Sequence, residues 1–122
     1  MTPEGRVKAG IKKALDASGI WRAGAPRPKV VRGWSFMVPA NGLGVSGIPD
    51  YVGCRKYVVQ PEDVGKAVGL FFAIEAKAAG KAANTTSNQD QRHIEIHSAG
   101  GVVLLVDDAA TVEGWLSEHI EG

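Results

Sequence analysis

Two short stretches of the chain carry residue types and spacings that suit chemistry. One is Glu75-Ala76-Lys77, at the exit of the apolar run over residues 68–74. Residues two apart on a strand share a face, so Glu75 and Lys77 project together and Ala76 points the other way. A carboxylate and an ammonium leaving a buried strand side by side are costly unless exposed, paired or put to use. The other stretch is Gly47-Ile48-Pro49-Asp50, a carboxylate just after a tight glycine turn. If the strand that starts there pairs with the strand of Glu75, the two carboxylates converge on one divalent cation. Hard oxygen ligands of this kind suit Mg²⁺ or Mn²⁺. Lys77 is then placed to hold or help deprotonate a water while the metal offsets charge on a phosphate. Read alone, Asp50 is a turn residue after proline, while Glu75 with Lys77 reads equally as an ion pair at a strand end.

The elements that would position these residues can be read from periodicity and punctuation. Val7, Ile11, Ala14, Leu15 and Ser18 recur at helical spacing and predict a helix over 3–18. Thr2 would cap it, Pro3 sits in its first turn and Gly19 ends it. Residues 22–28 read as a loop and 29–39 as a strand. A glycine-rich turn over 41–47 precedes a second strand over 49–59 and a loop over 60–66. The apolar run 68–74 predicts a buried central strand. A polar loop over 77–87 leads to a helix over 88–99, stopped by Gly100-Gly101. Residues 102–106 form another apolar strand. Asp107 or Asp108 can cap a last helix carrying Val112, Trp115, Leu116 and Ile120. The order α-β-β-β-α-β-α implies an α/β fold with helices covering a mixed sheet.

Length and composition narrow the class. The 122 residues suit one domain, 1–122, with no second independent core. No apolar run nears the ~20 residues needed to cross a bilayer, and the basic N-terminus lacks the apolar stretch of a signal peptide. With a lone cysteine, Cys54, and so no internal disulfide, the expectation is a cytoplasmic protein. Net charge is only +1, but residues 1–32 hold eight Lys/Arg against two acids, and the other 90 residues hold six against eleven. That asymmetry hints at a polyanion-facing N-terminal segment, with Lys8, Lys12 and Lys13 off the apolar stripe of the first helix. The plainer reading is a solvated helix face.

The ordered pattern resembles the PD-(D/E)xK nuclease superfamily and, within it, the VRR-NUC (virus-type replication-repair nuclease) family. The matching segments are Gly47-Ile48-Pro49-Asp50-Tyr51-Val52-Gly53, Phe72-Ala73-Ile74-Glu75-Ala76-Lys77, Gly80-Lys81, a Gln-bearing helix and Ala99-Gly100-Gly101-Val102-Val103, over roughly residues 30–107. The resemblance implies a restriction-endonuclease-like αβββαβ core, with a central mixed sheet flanked by helices. It implies Mg²⁺- or Mn²⁺-dependent phosphodiester hydrolysis in DNA, structured or branched, as by a junction resolvase in replication, recombination or repair. Asp50, Glu75 and the Ala76 carbonyl would be the metal ligands, with Lys77 beside the water. The family's glutamine maps to Gln89 by its distance from Gly100-Gly101, with Gln91 as competitor. Glu4 is the one acid placed near the start of the first helix to join, but with no motif around it the plainer reading is a first-turn helix acid. Lys8, Lys12, Lys13 and Lys81 are candidate nucleic-acid contacts. Stand-alone members are expected to self-associate as dimers or tetramers, and many are phage-encoded. The stretch 55–69 is longer than the family minimum, and Ala78-Ala79 follow Lys77 where hydroxyl or charged residues are common.

Other features read as ordinary. Gly42-Leu43-Gly44-Val45-Ser46-Gly47 is a literal G-x-G-x-x-G, but Pro49 and a β-type segment follow where a dinucleotide site needs a helix. His93 and His97 have two-histidine metal spacing with no third ligand near, so they read as partly exposed helix residues. Cys54 reads as a buried strand residue. Trp21, Trp34 and Trp115 read as core or interface, with base stacking by Trp21 or Trp34 the remoter option. The rival classes are a non-catalytic nucleic-acid-binding or assembly subunit that retains the fold, and a plain structural domain.

Overall fold

The computed structural model describes residues 2–39, 44 and 46–118. Among them the chain is a mixed α/β structure with three helices and two sheets.

Helix α1 spans Pro3–Ala17. The Thr2 hydroxyl accepts from the Gly5 N–H at 2.9 Å, which satisfies one of the orphan donors of the first turn. Gly19 then turns the chain with φ +76, where a Cβ would stand 2.6 Å from the Val30 carbonyl oxygen. No other residue type fits that turn without moving backbone. A short strand β1, Ile20–Arg22, follows directly. Sequence reading placed Arg22 in a loop and missed this strand. Three residues are too few for a periodic signal, and each pairs with a residue thirteen positions further on.

Strand β2, Gly33–Met37, runs parallel to β1 and antiparallel to β3, Tyr51–Arg55, with Trp34 opposite Cys54 and Phe36 opposite Val52. The strands expected over 29–39 and 49–59 are thus shorter than their apolar and aromatic content suggested. Residues 40–43 and 45 of the expected glycine turn lie outside the described residues. A single 3₁₀ turn, Pro61–Asp63, interrupts the following loop.

Strand β4 is Phe72–Ala76, and it pairs in parallel with β5, Val102–Val106. The expectation of a buried central strand over 68–74 is corrected on two counts. The strand starts four residues later, with Val68 and Leu70 64% and 66% exposed before it. It also pairs on one side only, so it is an edge strand of a two-stranded sheet. A run of apolar residues signals a wish for burial, not the partner that provides it.

Between β4 and β5, helix α2 spans Ser87–Ser98 and ends at Gly100 with φ +88. Helix α3, Ala109–Leu116, is capped by Asp108, whose carboxylate accepts from the Thr111 N–H at 2.8 Å. Ile120 of the expected last helix lies outside the described residues. The core lies where α2 meets both sheets. Trp21, Val31 and Trp34 of the first sheet region pack with Ile96 and Ala99 of α2, and Phe71, Ala73 and Val103 join from the second. At its centre Glu95 is fully buried. Its carboxylate accepts from Trp34 Nε1 at 3.1 Å and pairs with Arg92 Nη2 at 3.0 Å. Trp21 and Trp34 are therefore core residues, which removes them as stacking platforms; Trp115 packs on Phe72 with ring centroids 5.3 Å apart. Among the described residues no helix is long and apolar enough to cross a membrane.

Candidate functional site

Glu75 is the fourth residue of β4, and Lys77 follows its last. The parallel ladder to β5 explains which of their groups are available. Lys77 N–H donates to the Val106 carbonyl at 2.8 Å, and the Phe71 carbonyl accepts from Val102. Odd-numbered residues of β4 therefore turn their backbone toward β5, and even-numbered ones turn theirs to the unpaired edge. The Ala76 carbonyl lies on that open edge.

The Glu75 and Lys77 side chains both meet α2, as residues sharing a strand face should. Lys77 Nζ donates to Gln89 Oε1 at 2.8 Å. The same oxygen accepts from the Thr86 N–H at 3.0 Å, while the Gln89 N–H donates to Thr86 Oγ1 at 3.1 Å. This reciprocal cap fixes Gln89 at the first turn of α2, so the ammonium of Lys77 meets an acceptor already held in place. Gln91 is exposed and takes no part. The turn after Lys77 is tied down as well, because the Gly80 N–H donates to Asp107 at 2.9 Å.

Glu75 faces a residue that sequence reading passed over. His93 Nε2 lies 3.7 Å from Glu75 Oε1, with both side chains under one third exposed. Its signal was present: His93 is one helical turn after Gln89, on the same face of α2. Its spacing to His97 drew attention instead, and His97 is exposed.

Asp50 stands apart. It immediately precedes β3, its carbonyl accepts from the Val38 N–H at 2.8 Å, and its side chain is exposed. β3 pairs with β2 and β4 with β5, so the ladder that was expected to bring Asp50 beside Glu75 is absent. Among the described residues no three His, Cys, Asp or Glu side chains gather to hold a metal ion. Glu75 and the Ala76 carbonyl are hard oxygen donors at one open edge and suit Mg²⁺ or Mn²⁺; Asp50 does not join them in this arrangement. Glu4, in the first turn of α1, has no hydrogen bond or ion pair to the site among the described residues. Lys12 and Lys13 are exposed along α1, with Lys8 half-buried, and Lys81 is exposed in the turn after the Glu-x-Lys segment.

Set against known protein families, curated proteins and solved structures, the chain matches none.

Proposed function

We propose that the chain is a divalent-metal-dependent nuclease of PD-(D/E)xK type, with a VRR-NUC-like site, hydrolysing phosphodiester bonds in cytoplasmic DNA of structured or branched form. The carrying observation is the Lys77–Gln89 hydrogen bond beside Glu75. A plain strand-end ion pair would join Glu75 to Lys77. Here each meets its own partner on α2, the carboxylate His93 at 3.7 Å and the ammonium the neutral acceptor Gln89 at 2.8 Å, so neither is taken up by the other. In this reading Glu75 and the Ala76 carbonyl would hold Mg²⁺ or Mn²⁺, and Asp50, which the structure sets apart from them, is the third ligand that the resemblance alone supplies. The ion would neutralise charge on the scissile phosphate and make water a stronger nucleophile. Lys77 orients that water, Gln89 orients Lys77, and Lys8, Lys12, Lys13 and Lys81 draw the phosphate backbone toward the site.

Self-association belongs to the same reading. Phe72 and Ile74 of β4, each 44% exposed, mark the face we assign to a second copy.

The test is cleavage of plasmid, flap and four-way-junction DNA with Mg²⁺ or Mn²⁺. Lys77→Ala and Asp50→Asn should each lower the rate by about a hundredfold or more. A wild type inactive on every substrate, or variants as active as wild type, would overturn the reading. The position of Asp50 away from Glu75 favours a second reading, a nucleic-acid-binding or assembly subunit that retains the fold without turnover. It predicts salt-dependent binding that is indifferent to divalent ions.

A further inference from the structure

A cleft of about 710 Å³ opens beside the first sheet, away from Glu75 and Lys77. Its origin is the shortness of β1. Val38 N–H bonds to Asp50, and Lys56 N–H to Arg32, so even-numbered residues of β2 face β3. Ser35 faces the other way, and its carbonyl accepts from Ala23 at 2.8 Å. β1 then stops, and the backbone of Met37 is left at an open edge. Lys12 of α1 and Arg92 of α2 line the cleft together with Arg22, Phe36 and Tyr51.

Two features of this cleft point to one kind of ligand. The first is charge: Lys12 is exposed with no ion-pair partner among the described residues, while the guanidinium groups of Arg22 and Arg92 are held in place by Asp16 at 2.7 Å and Glu95 at 3.0 Å. The second is an aromatic platform. Phe36 lies 39% exposed with its ring within 7° of parallel to that of buried Trp34. Its outer face is where a further flat ring would continue the stack.

Cations and exposed aromatics in a narrow groove are the recognition chemistry of single-stranded nucleic acid. A duplex keeps its bases stacked on one another and has none to lay on Phe36. We propose that this cleft binds an unpaired segment of nucleic acid, with a base on Phe36 and its phosphates toward Lys12 and Arg92. The proposal rests on the nuclease reading for its biological sense, and it adds a preference for substrates with a single-stranded portion.

Fluorescence anisotropy on the whole chain, with EDTA present, tests it without any cleavage. The probes are oligothymidylate and oligouridylate of about 12 nucleotides, within the ~4–16 that grooves of this type span, and a blunt duplex of equal length. At least one single strand should bind about tenfold more tightly than the duplex, and Phe36→Ala should remove about that factor. Lys12→Gln should reduce the salt slope by about 0.7. Both side chains are at the surface, and unchanged thermal melts will show that the variants fold. A duplex bound as tightly as either strand, or variants that bind like wild type, overturns the proposal. Cleavage with no strand preference leaves the nuclease reading intact and removes this one. Strand binding with no cleavage under any metal does the reverse.

Discussion

The two sheets of this molecule treat similar residues differently. The first, β1–β2–β3, buries Trp21 and Trp34 to 3% and 7% exposure. The second, β4–β5, leaves Phe72, Ile74 and Leu105 between 37% and 44% exposed, although its strands are the most apolar in the chain. The difference lies in what covers each. α2 lays Ile96 and Ala99 over Trp34 and anchors the contact with buried Glu95. The far face of β4 has only α3, an eight-residue helix that contributes Trp115. Packing therefore concentrates in one half, and the candidate site sits at the seam where α2 serves both. A site there gains a rigid wall on one side and an accessible edge on the other.

Breaking the anchor of the well-packed half should have the largest effect. Glu95→Ala removes the acceptor of Trp34 Nε1 and the partner of Arg92 in one step. It leaves the indole N–H without its acceptor in the core and the half-exposed Arg92 without its partner, at a cost of about 2 kcal/mol. Urea denaturation measures it, and a loss below about 1 kcal/mol would mean that the ion pair and the indole bond contribute little beyond packing.

The open half should respond weakly and in a different manner. Ile74→Ala on a half-exposed strand should cost about 1 kcal/mol or less in the dilute monomer, where a fully buried site would cost 2–5. If a second copy covers this face, the cost grows with protein concentration, and sedimentation should show the variant dissociating first. A concentration-independent loss typical of a core residue would sink the contrast between the sheets.

The same contrast explains what could be read from the sequence. Helix α1, its Thr2 cap, the α2 stop at Gly100 and the bounds of β5 follow from local signals: capping residues, glycine and periodicity. Gln89 is named by the family resemblance, through its distance from Gly100-Gly101 and with Gln91 as competitor, and its capping box gives a local reason for its place. What failed was pairing. β1 was invisible because its strand character comes from β2, and β4 was misjudged as central because apolar content does not name a neighbour. Asp50 and Glu75 were joined on the assumption of a ladder that the structure does not form. His93 was overlooked because it was weighed with His97 instead of with the residue one turn earlier. Long-range partners decide all of these, and a single sequence encodes them only weakly.

The smallest expected effect lies at the start of α3 and reports on the open half without disturbing its packing. Hydrogen bonds from the Thr111 N–H and hydroxyl hold the Asp108 carboxyl below the ordinary aspartate value. A depressed value in the folded state means that Asp108 contributes stability above its unfolded value and loses it as pH falls through the folded one. Asp108→Asn keeps a capping oxygen but cannot titrate. Wild type and variant should therefore melt with a nearly constant offset near neutrality, and the two curves should converge as the medium is made acid. Asp63 is also held low, by the Gln60 N–H and the Tyr57 hydroxyl, and is common to both proteins, so it cancels in the difference. Thermal melts across the acid range decide it. An offset that does not change with pH would show that α3 takes no electrostatic support from its cap, leaving Trp115 on Phe72 as the contact that holds this helix to the second sheet.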